Sequence, residues 1–488
     1  MRRHLHSLKI LKFALTLILS IATFGCGGTA IQNISSPPSV PLFSVASLNG
    51  SYAFSADFMA GSFRTDGKGT ITTGVEDTFS TPSVGPPVHQ IVSFTGNYTV
   101  GNDGRGTLTL VSAAAGSLTL PFVLLNSQHG LILNFMDPTF GSVSGGKIDQ
   151  QDPTAFSLTT LANNSYAFLL HNVAGTFTAN ASGVITSGTE DSFDTVGNDQ
   201  SLPLSGTMGA VDGNGRGVAT LITSLGTVSV AFYVIDSSHI HFLETDTNFR
   251  SGDAFSRQGP FDNNSLAGSW VVSLFSGTSI LAAVFTADNT GNVTSGTEDR
   301  FAARLAITPL VLYQGPFNLT GTYSMTATGR GTISITDSSG QFHDSIVVFP
   351  SSAGLVLLEF GRGGVALKKQ PATFSNTSLA GSFGLVLSGA SVVQDSGGQA
   401  LGSVGMVTAD SNGNLTGGQA TTAAPGTLFA SEAFTGTYSI TANGRGTATL
   451  ATGNPHQVVV YIVSPSSIVI VGDTASAQIY AGSLVQQH

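Results

Sequence analysis

Gly74-Val75-Glu76-Asp77 is followed about thirty residues later by Gly104-Arg105-Gly106, and both pieces return along the chain. The acidic piece recurs as Gly188-Thr189-Glu190-Asp191 and Gly296-Thr297-Glu298-Asp299, and the basic piece is centred on Arg105, Arg216, Arg330 and Arg445. The arginines are spaced by 111, 114 and 115 residues, so the repeating unit has the size of a small domain. The fourth copy keeps Arg445 but reads Gly417-Gly418-Gln419-Ala420 where the acidic pair is expected.

Outward from this signature each unit has the same grammar. It opens on a small residue, Ser and an aromatic, as in Gly50-Ser51-Tyr52, Asn164-Ser165-Tyr166, Gly268-Ser269-Trp270 and Gly381-Ser382-Phe383. A strand then runs into Asp66-Gly67, Asn180-Ala181-Ser182-Gly183, Asp288-Asn289-Thr290-Gly291 or Asp410-Ser411-Asn412-Gly413. Asp and Asn followed by Gly supply the positive φ of tight hairpins. After the acidic pair come Phe94-Thr95-Gly96-Asn97-Tyr98 and its counterparts, the Gly-Arg-Gly turn, and alternating strands such as Thr107-Leu108-Thr109-Leu110. About eight short strands fit in each unit of roughly 100 residues, joined as consecutive hairpins. The predicted fold is all-β: four tandem repeats, each an antiparallel up-and-down meander of about eight strands closing into a small barrel. A two-sheet sandwich is the alternative. Closure is preferred because it removes sheet edges that a chain with 9% charged residues has little means to guard.

The units divide as repeat 1 over 47–158, repeat 2 over 159–262, repeat 3 over 263–374 and a degenerate repeat 4 over 375–488. With 60 Gly, 41% hydrophobic residues and no long amphipathic helical pattern, the composition agrees with short strands and tight turns. Net charge is −10, and without the first 25 residues 14 basic residues face 28 acidic ones, giving −14. An acidic body with no basic run longer than Lys368-Lys369 does not suit nucleic acid.

Residues 1–25 read as an export signal. Arg2, Arg3, Lys9 and Lys12 form the positive region, and Phe13 to Gly25 form an apolar stretch too short to span a bilayer. Cys26, the one cysteine, follows Thr23-Phe24-Gly25. That placement resembles a bacterial lipoprotein processing site, where the cysteine becomes the lipid-carrying first residue. The resemblance implies lipidation of Cys26, a membrane partner through that anchor and an outer-membrane destination in the cell envelope. Residues 26–46, with Ser35-Ser36-Pro37-Pro38-Ser39 and Pro41, then form the anchor and a flexible tether.

The opening Gly-Ser-Trp or Gly-Ser-Tyr is similar to the Gly-x-Trp start of lipocalin and avidin-type barrels. Over the whole mature chain, the aromatic opening, Gly-Thr-Glu-Asp and Gly-Arg-Gly resemble those of bacterial repeat lipoproteins, a resemblance that brings no activity with it.

Two readings of Glu76, Asp77, Glu190, Asp191, Glu298 and Asp299 compete. As a site, Glu76 and Asp77 with Asp66 or Asp103 could offer oxygens to Ca²⁺. As an internal tie, one acid of each pair bonds the Arg or caps turn N–H groups within its own unit. Neighbouring side chains on a strand face opposite sides, which favours the tie. Arg445 without an acidic pair in its own unit remains unexplained on either reading. His239-x-His241 puts two imidazoles on one strand face, but no third ligand stands at a telling distance, so no metal is expected. There is no Gly-x-Ser-x-Gly elbow, phosphate loop or His-Glu-x-x-His. No catalytic residue and no cofactor are expected. The function expected is a non-enzymatic envelope lipoprotein with a structural, adhesive or binding role. A lipocalin-like carrier of small apolar ligands and a carbohydrate-binding surface protein are the alternatives.

Overall fold

Apolar–polar alternation on both sides of a tight turn makes a hairpin, and in the computed structural model these hairpins follow one another without a crossover. Barrel 1 consists of eight antiparallel strands: Asn49–Ala56, Met59–Asp66, Thr70–Ser80, Val88–Val100, Arg105–Ser112, Gly116–Leu124, His129–Asp137 and Ser142–Gln150. The eighth strand pairs back on the first through Tyr52↔Gln150 and Phe54↔Ile148, so the sheet closes. Barrels 2, 3 and 4 repeat this order over Ser165–Arg257, Gly268–Lys368 and Ala380–Gln486. In barrels 2 and 4 a two-residue strand, Leu202–Pro203 or Thr427–Leu428, adds to the third strand. Each unit is thus a closed barrel and not a two-sheet sandwich.

The structure describes residues 42–488 apart from 81–86, 138–141, 163, 194–200, 247–249, 277–278, 305–309, 341, 360, 392–399, 425, 452–455 and 473–477. The expected signal segment 1–25, Cys26 and residues 27–41 of the tether lie outside the described residues. Among the described residues no helix is long and apolar enough to cross a membrane.

Eight strands enclose a space that side chains can fill. In barrel 1 the filling is aromatic, with Tyr52, Phe54, Phe63, Phe94 and Phe122 buried and Tyr52 stacked on Phe63 at 5.7 Å. Tyr166, Phe168, Phe177, Phe232 and Phe242 do the same in barrel 2. Trp270 is buried in barrel 3 and donates its indole N–H to the Leu266 carbonyl at 2.7 Å. Barrel 4 is filled mainly by aliphatic residues around a cavity of about 20 Å³, space for about one water.

Two glycines of the signature have steric reasons. A Cβ on Gly74 would lie 2.2 Å from the Phe94 ring, so the ring can cover the strand only because no side chain is there. The first glycine of each Gly-Arg-Gly turn has positive φ: 84° at Gly104, 75° at Gly215, 76° at Gly329 and 93° at Gly444.

The outward faces of the barrels are apolar along two flanks, and those flanks meet. Ala53, Ala60 and Val75 on the first three strands of barrel 1 pack on Tyr233, Ile235 and Leu243 of barrel 2. Ala167, Ala174 and Phe193 of barrel 2 pack on Val347, Phe349, Val356 and Leu358 of barrel 3. Ile280, Ala282 and Phe301 of barrel 3 pack on Val459, Tyr461 and Val471 of barrel 4. Barrel 4 then presents Val386, Val404, Met406 and Ala423 to Val123, Leu125, Leu131, Leu133, Phe135 and Val143 of barrel 1. Strands one to three of each barrel therefore dock on the later strands of the next, and barrel 4 docks on barrel 1. A head-to-tail contact whose rotation closes makes a ring. Residues 38–488 form one compact unit.

Candidate functional site

The acidic pair sits on the third strand of its barrel, where alternation sends its two members to opposite faces. Glu76 points into barrel 1, while Asp77 points outward, into the seam with barrel 2. Asp77 is fully buried, and its partner is the arginine of the next barrel. Arg216 donates Nε–H to Oδ2 and Nη2–H to Oδ1, both at 2.7 Å. The Tyr233 hydroxyl adds a bond of 2.5 Å, and His89 of barrel 1 stands 2.7 Å from Oδ1. Burial would raise the Asp77 pKa, but the bonds from Arg216, His89 and Tyr233 outweigh it and hold the carboxyl below its ordinary value.

The arrangement repeats. Asp191 of barrel 2 takes two bonds from Arg330 of barrel 3, at 2.8 and 2.7 Å. Asp299 of barrel 3 takes two from Arg445 of barrel 4, both 2.7 Å, together with bonds from the hydroxyls of Tyr313 and Tyr461. The tie expected between acid and arginine of one unit is therefore corrected: the pair is made between consecutive units. Own-barrel bonds are also present, from His89 to Asp77 and from Tyr313 to Asp299. Arg445 needs no acidic pair in its own barrel because it serves the one before.

Arg105 faces the closing seam, where strand register gives the missing partner a different identity from the one expected. Glu298 and Asp299 lie opposite Ala283 and Ala282 on the neighbouring strand. Counting from the residues that face the opening aromatics Trp270 and Phe383, the same places in barrel 4 are opposite Gly405 and Val404, and they hold Ala420 and Thr421. The acidic pair is thus replaced by Ala420-Thr421 and not by Gln419-Ala420. Barrel 1 has the same bulge, between Ile71 and Gly74, as barrel 4 has between Leu415 and Gly418, and the places ten and eleven residues after the turn aspartates Asp66, Asp288 and Asp410 correspond. Arg105 instead bonds Asp103 of its own turn at 2.7 Å and Ser431 of barrel 4 at 2.8 Å. Gln487 reaches from barrel 4 to the Asp103 and Leu124 carbonyls, as Gln151 reaches from barrel 1 to those of Asn214 and Val234.

The inward acids form a second set. Glu76 is buried with Oε2 unpaired, and burial with the neighbouring Asp77 raises its pKa to about 7. In barrel 2 Glu190 rises to about 7, chiefly through burial, and Glu244 bonds Arg250. In barrel 3 Glu298 bonds Arg300 at 2.8 Å, and Glu359 bonds Arg362 at 2.6 Å while its pKa rises to about 8, chiefly through burial. Asp66, Asp288 and Asp410 do not join them. Each accepts N–H groups of its own hairpin turn, such as Lys68 and Thr70 on Asp66, so Asp66 serves its turn and does not stand with Glu76 and Asp77 as an oxygen donor.

His239 and His241 do share one strand face, with ring centroids 4.9 Å apart. The residue that sequence spacing could not supply comes from barrel 1: Asp149, whose Oδ2 is 3.3 Å from His241 Nε2. Asp253 of the neighbouring strand holds His241 Nδ1 at 2.6 Å and His239 Nε2 at 3.0 Å. Within barrel 1 His129 Nδ1 contacts Asp149 Oδ1 at 2.7 Å, and across the seam Lys147 Nζ donates to Asp253 Oδ2 at 3.2 Å. Burial would lower the His241 pKa, but the carboxylates of Asp253 and Asp149 raise it to about 9. Two open grooves also lie on seams: about 540 Å³ beside Arg257, Phe261 and Ser352, and about 390 Å³ beside Thr286, Thr297, Lys369 and Asn443.

No family model and no curated protein matches the chain. Among solved structures, the DNA polymerase sliding clamp from Pseudomonas aeruginosa aligns over 66% of this chain and 92% of its own, at 8% identity and a TM-score of 0.10, a likeness that informs neither fold nor function.

Proposed function

We propose that the chain is a non-enzymatic lipoprotein of the bacterial envelope, in which a closed ring of four barrels is carried on a lipid-anchored tether for a structural, adhesive or binding role. The observation that carries this reading is the use made of the repeated charges. Asp77, Asp191 and Asp299 are each bonded to the arginine of the next barrel, so the feature most like a repeated active site is consumed in assembly. The filled interiors favour this reading over a carrier of apolar ligands. The cavity in barrel 4 is about 20 Å³, against roughly 300–1,000 Å³ for a small-molecule site. Any partner would then meet the outer surface and the seam grooves.

The anchor is tested by changing Cys26→Ser and following both membrane fractionation and incorporation of a labelled fatty acid. Loss of both is expected. Membrane attachment that persists without Cys26 would sink the lipoprotein reading.

A further inference from the structure

We propose that the seam between barrels 1 and 2 is a binding site for a divalent cation of the zinc type, held by Asp149, His239 and His241. One donor atom from each of these residues lies within 4.8 Å of the other two. His241 Nε2 and Asp149 Oδ2 face each other at 3.3 Å, yet neither makes a hydrogen bond, although His241 is 0% and Asp149 7% exposed. With His241 protonated these two atoms form an ion pair without hydrogen-bond geometry, and a cation can take the place of that proton between them. With metal–ligand bonds of about 2.0–2.1 Å, two donors of a tetrahedral zinc ion stand about 3.3–3.4 Å apart. The two orphaned atoms already have the spacing of one edge of that tetrahedron.

The neighbouring groups hold the donors in the orientation a cation requires. The Asp253 carboxylate accepts from His241 Nδ1, so a cation that displaces the other ring proton would meet the Nε2 lone pair on the side of Asp149. The same carboxylate engages Nε2 of His239 and leaves its Nδ1 as donor. His129 occupies the other oxygen of Asp149, and Lys147 balances Asp253, so neither ring nor carboxylate is free to turn away. Two imidazoles and one carboxylate favour zinc or a neighbouring transition metal over calcium, which takes oxygen ligands. Such an ion would join two barrels through residues roughly ninety positions apart in the chain.

The test uses the untagged mature chain, stripped with a chelator and titrated with Zn²⁺ by calorimetry and with Co²⁺ by visible absorbance. One equivalent is expected to bind, with a Kd below about 10 µM, the absorption of four-coordinate cobalt, and a higher melting temperature. His239→Ala and His241→Ala should each weaken binding at least about tenfold, and Asp253→Asn should weaken it by about 10–100-fold as an outer-shell change. Circular dichroism checks that each variant is folded. If His241→Ala does not fold, His239→Ala and the wild-type titration decide. No binding to the folded wild type, or unchanged binding in folded His239→Ala, overturns the proposal.

Discussion

Arg216 and Asp77 are 139 residues apart and belong to different barrels, yet they form two parallel hydrogen bonds of 2.7 Å in a buried seam. Removing one member leaves the other charged and poorly hydrated. Asp77→Ala is therefore expected to cost about 3–5 kcal/mol, read from urea unfolding. The double variant Asp77→Ala/Arg216→Ala should lose clearly less than the sum of the singles. Additive losses would show that the two side chains are energetically independent.

The closing seam predicts an asymmetry among arginines that look alike in sequence. Arg105 and Asp103 are 26% and 24% exposed at their side chains, whereas the Arg216 side chain is 13% exposed and faces a fully buried acid. Arg105→Ala should cost under about 1 kcal/mol, in line with exposed ion pairs, and Arg216→Ala several times more. Equal losses in the two variants would contradict the assignment of partners.

Glu76 predicts a pH dependence. Burial and Asp77 raise its folded pKa from 4.5 to about 7, so the folded state holds this proton more tightly than the unfolded chain does. The stability it confers while protonated is lost as pH rises from about 4.5 to about 7 and is level above that. Glu76→Gln cannot ionise. It should gain about 2–3 kcal/mol relative to wild type at pH 8 and little at pH 4.5. Denaturant midpoints of both proteins across that range are the measurement, and a difference that does not change with pH would refute a raised pKa.

Gly74→Ala puts a methyl group against the Phe94 ring, at 2.2 Å before any relaxation. Overpacking of this kind costs about 1–3 kcal/mol. Phe94→Leu in the same chain should recover part of the loss, since a smaller side chain vacates the contact. A melting temperature unchanged by Gly74→Ala would mean that the ring does not cover the strand.

Much of the barrel could be read from the sequence. Gly67, Gly183, Gly291 and Gly413 mark hairpins, alternation marks inward positions, and both signals are local. The opposite-facing placement of Glu76 and Asp77 also follows from strand geometry alone. What was hidden is relational. Nothing near Asp77 indicates that its partner is Arg216 and not Arg105, because the two lie at equivalent places in Gly-Arg-Gly turns. Tyr233 opposite Arg216 and Tyr461 opposite Arg445 were the available hint, since both donate to the acid across the seam while Val123 takes that place opposite Arg105. Asp149 was hidden for the same reason: it reaches His241 only after two barrels have docked. The replacement by Ala420-Thr421 was legible: the acidic pair stands ten and eleven residues after Asp66, Asn180 and Asp288, and the same count from Asp410 reaches Ala420 and Thr421.

Head-to-tail closure has a consequence for the order in which the protein is made. Barrel 1 can complete its own sheet as soon as Gln150 is available, but the flank formed by Val123, Leu125, Leu131, Leu133, Phe135 and Val143 has no cover until the segment from Val386 to Ala423 exists. For more than half the length of the chain, the first barrel to be synthesised waits with an apolar side open. During that interval the same flank of barrel 1 fits the fourth barrel of another molecule as well as its own. Nascent chains held close together can therefore link into open strings, and dilution favours the closed monomer.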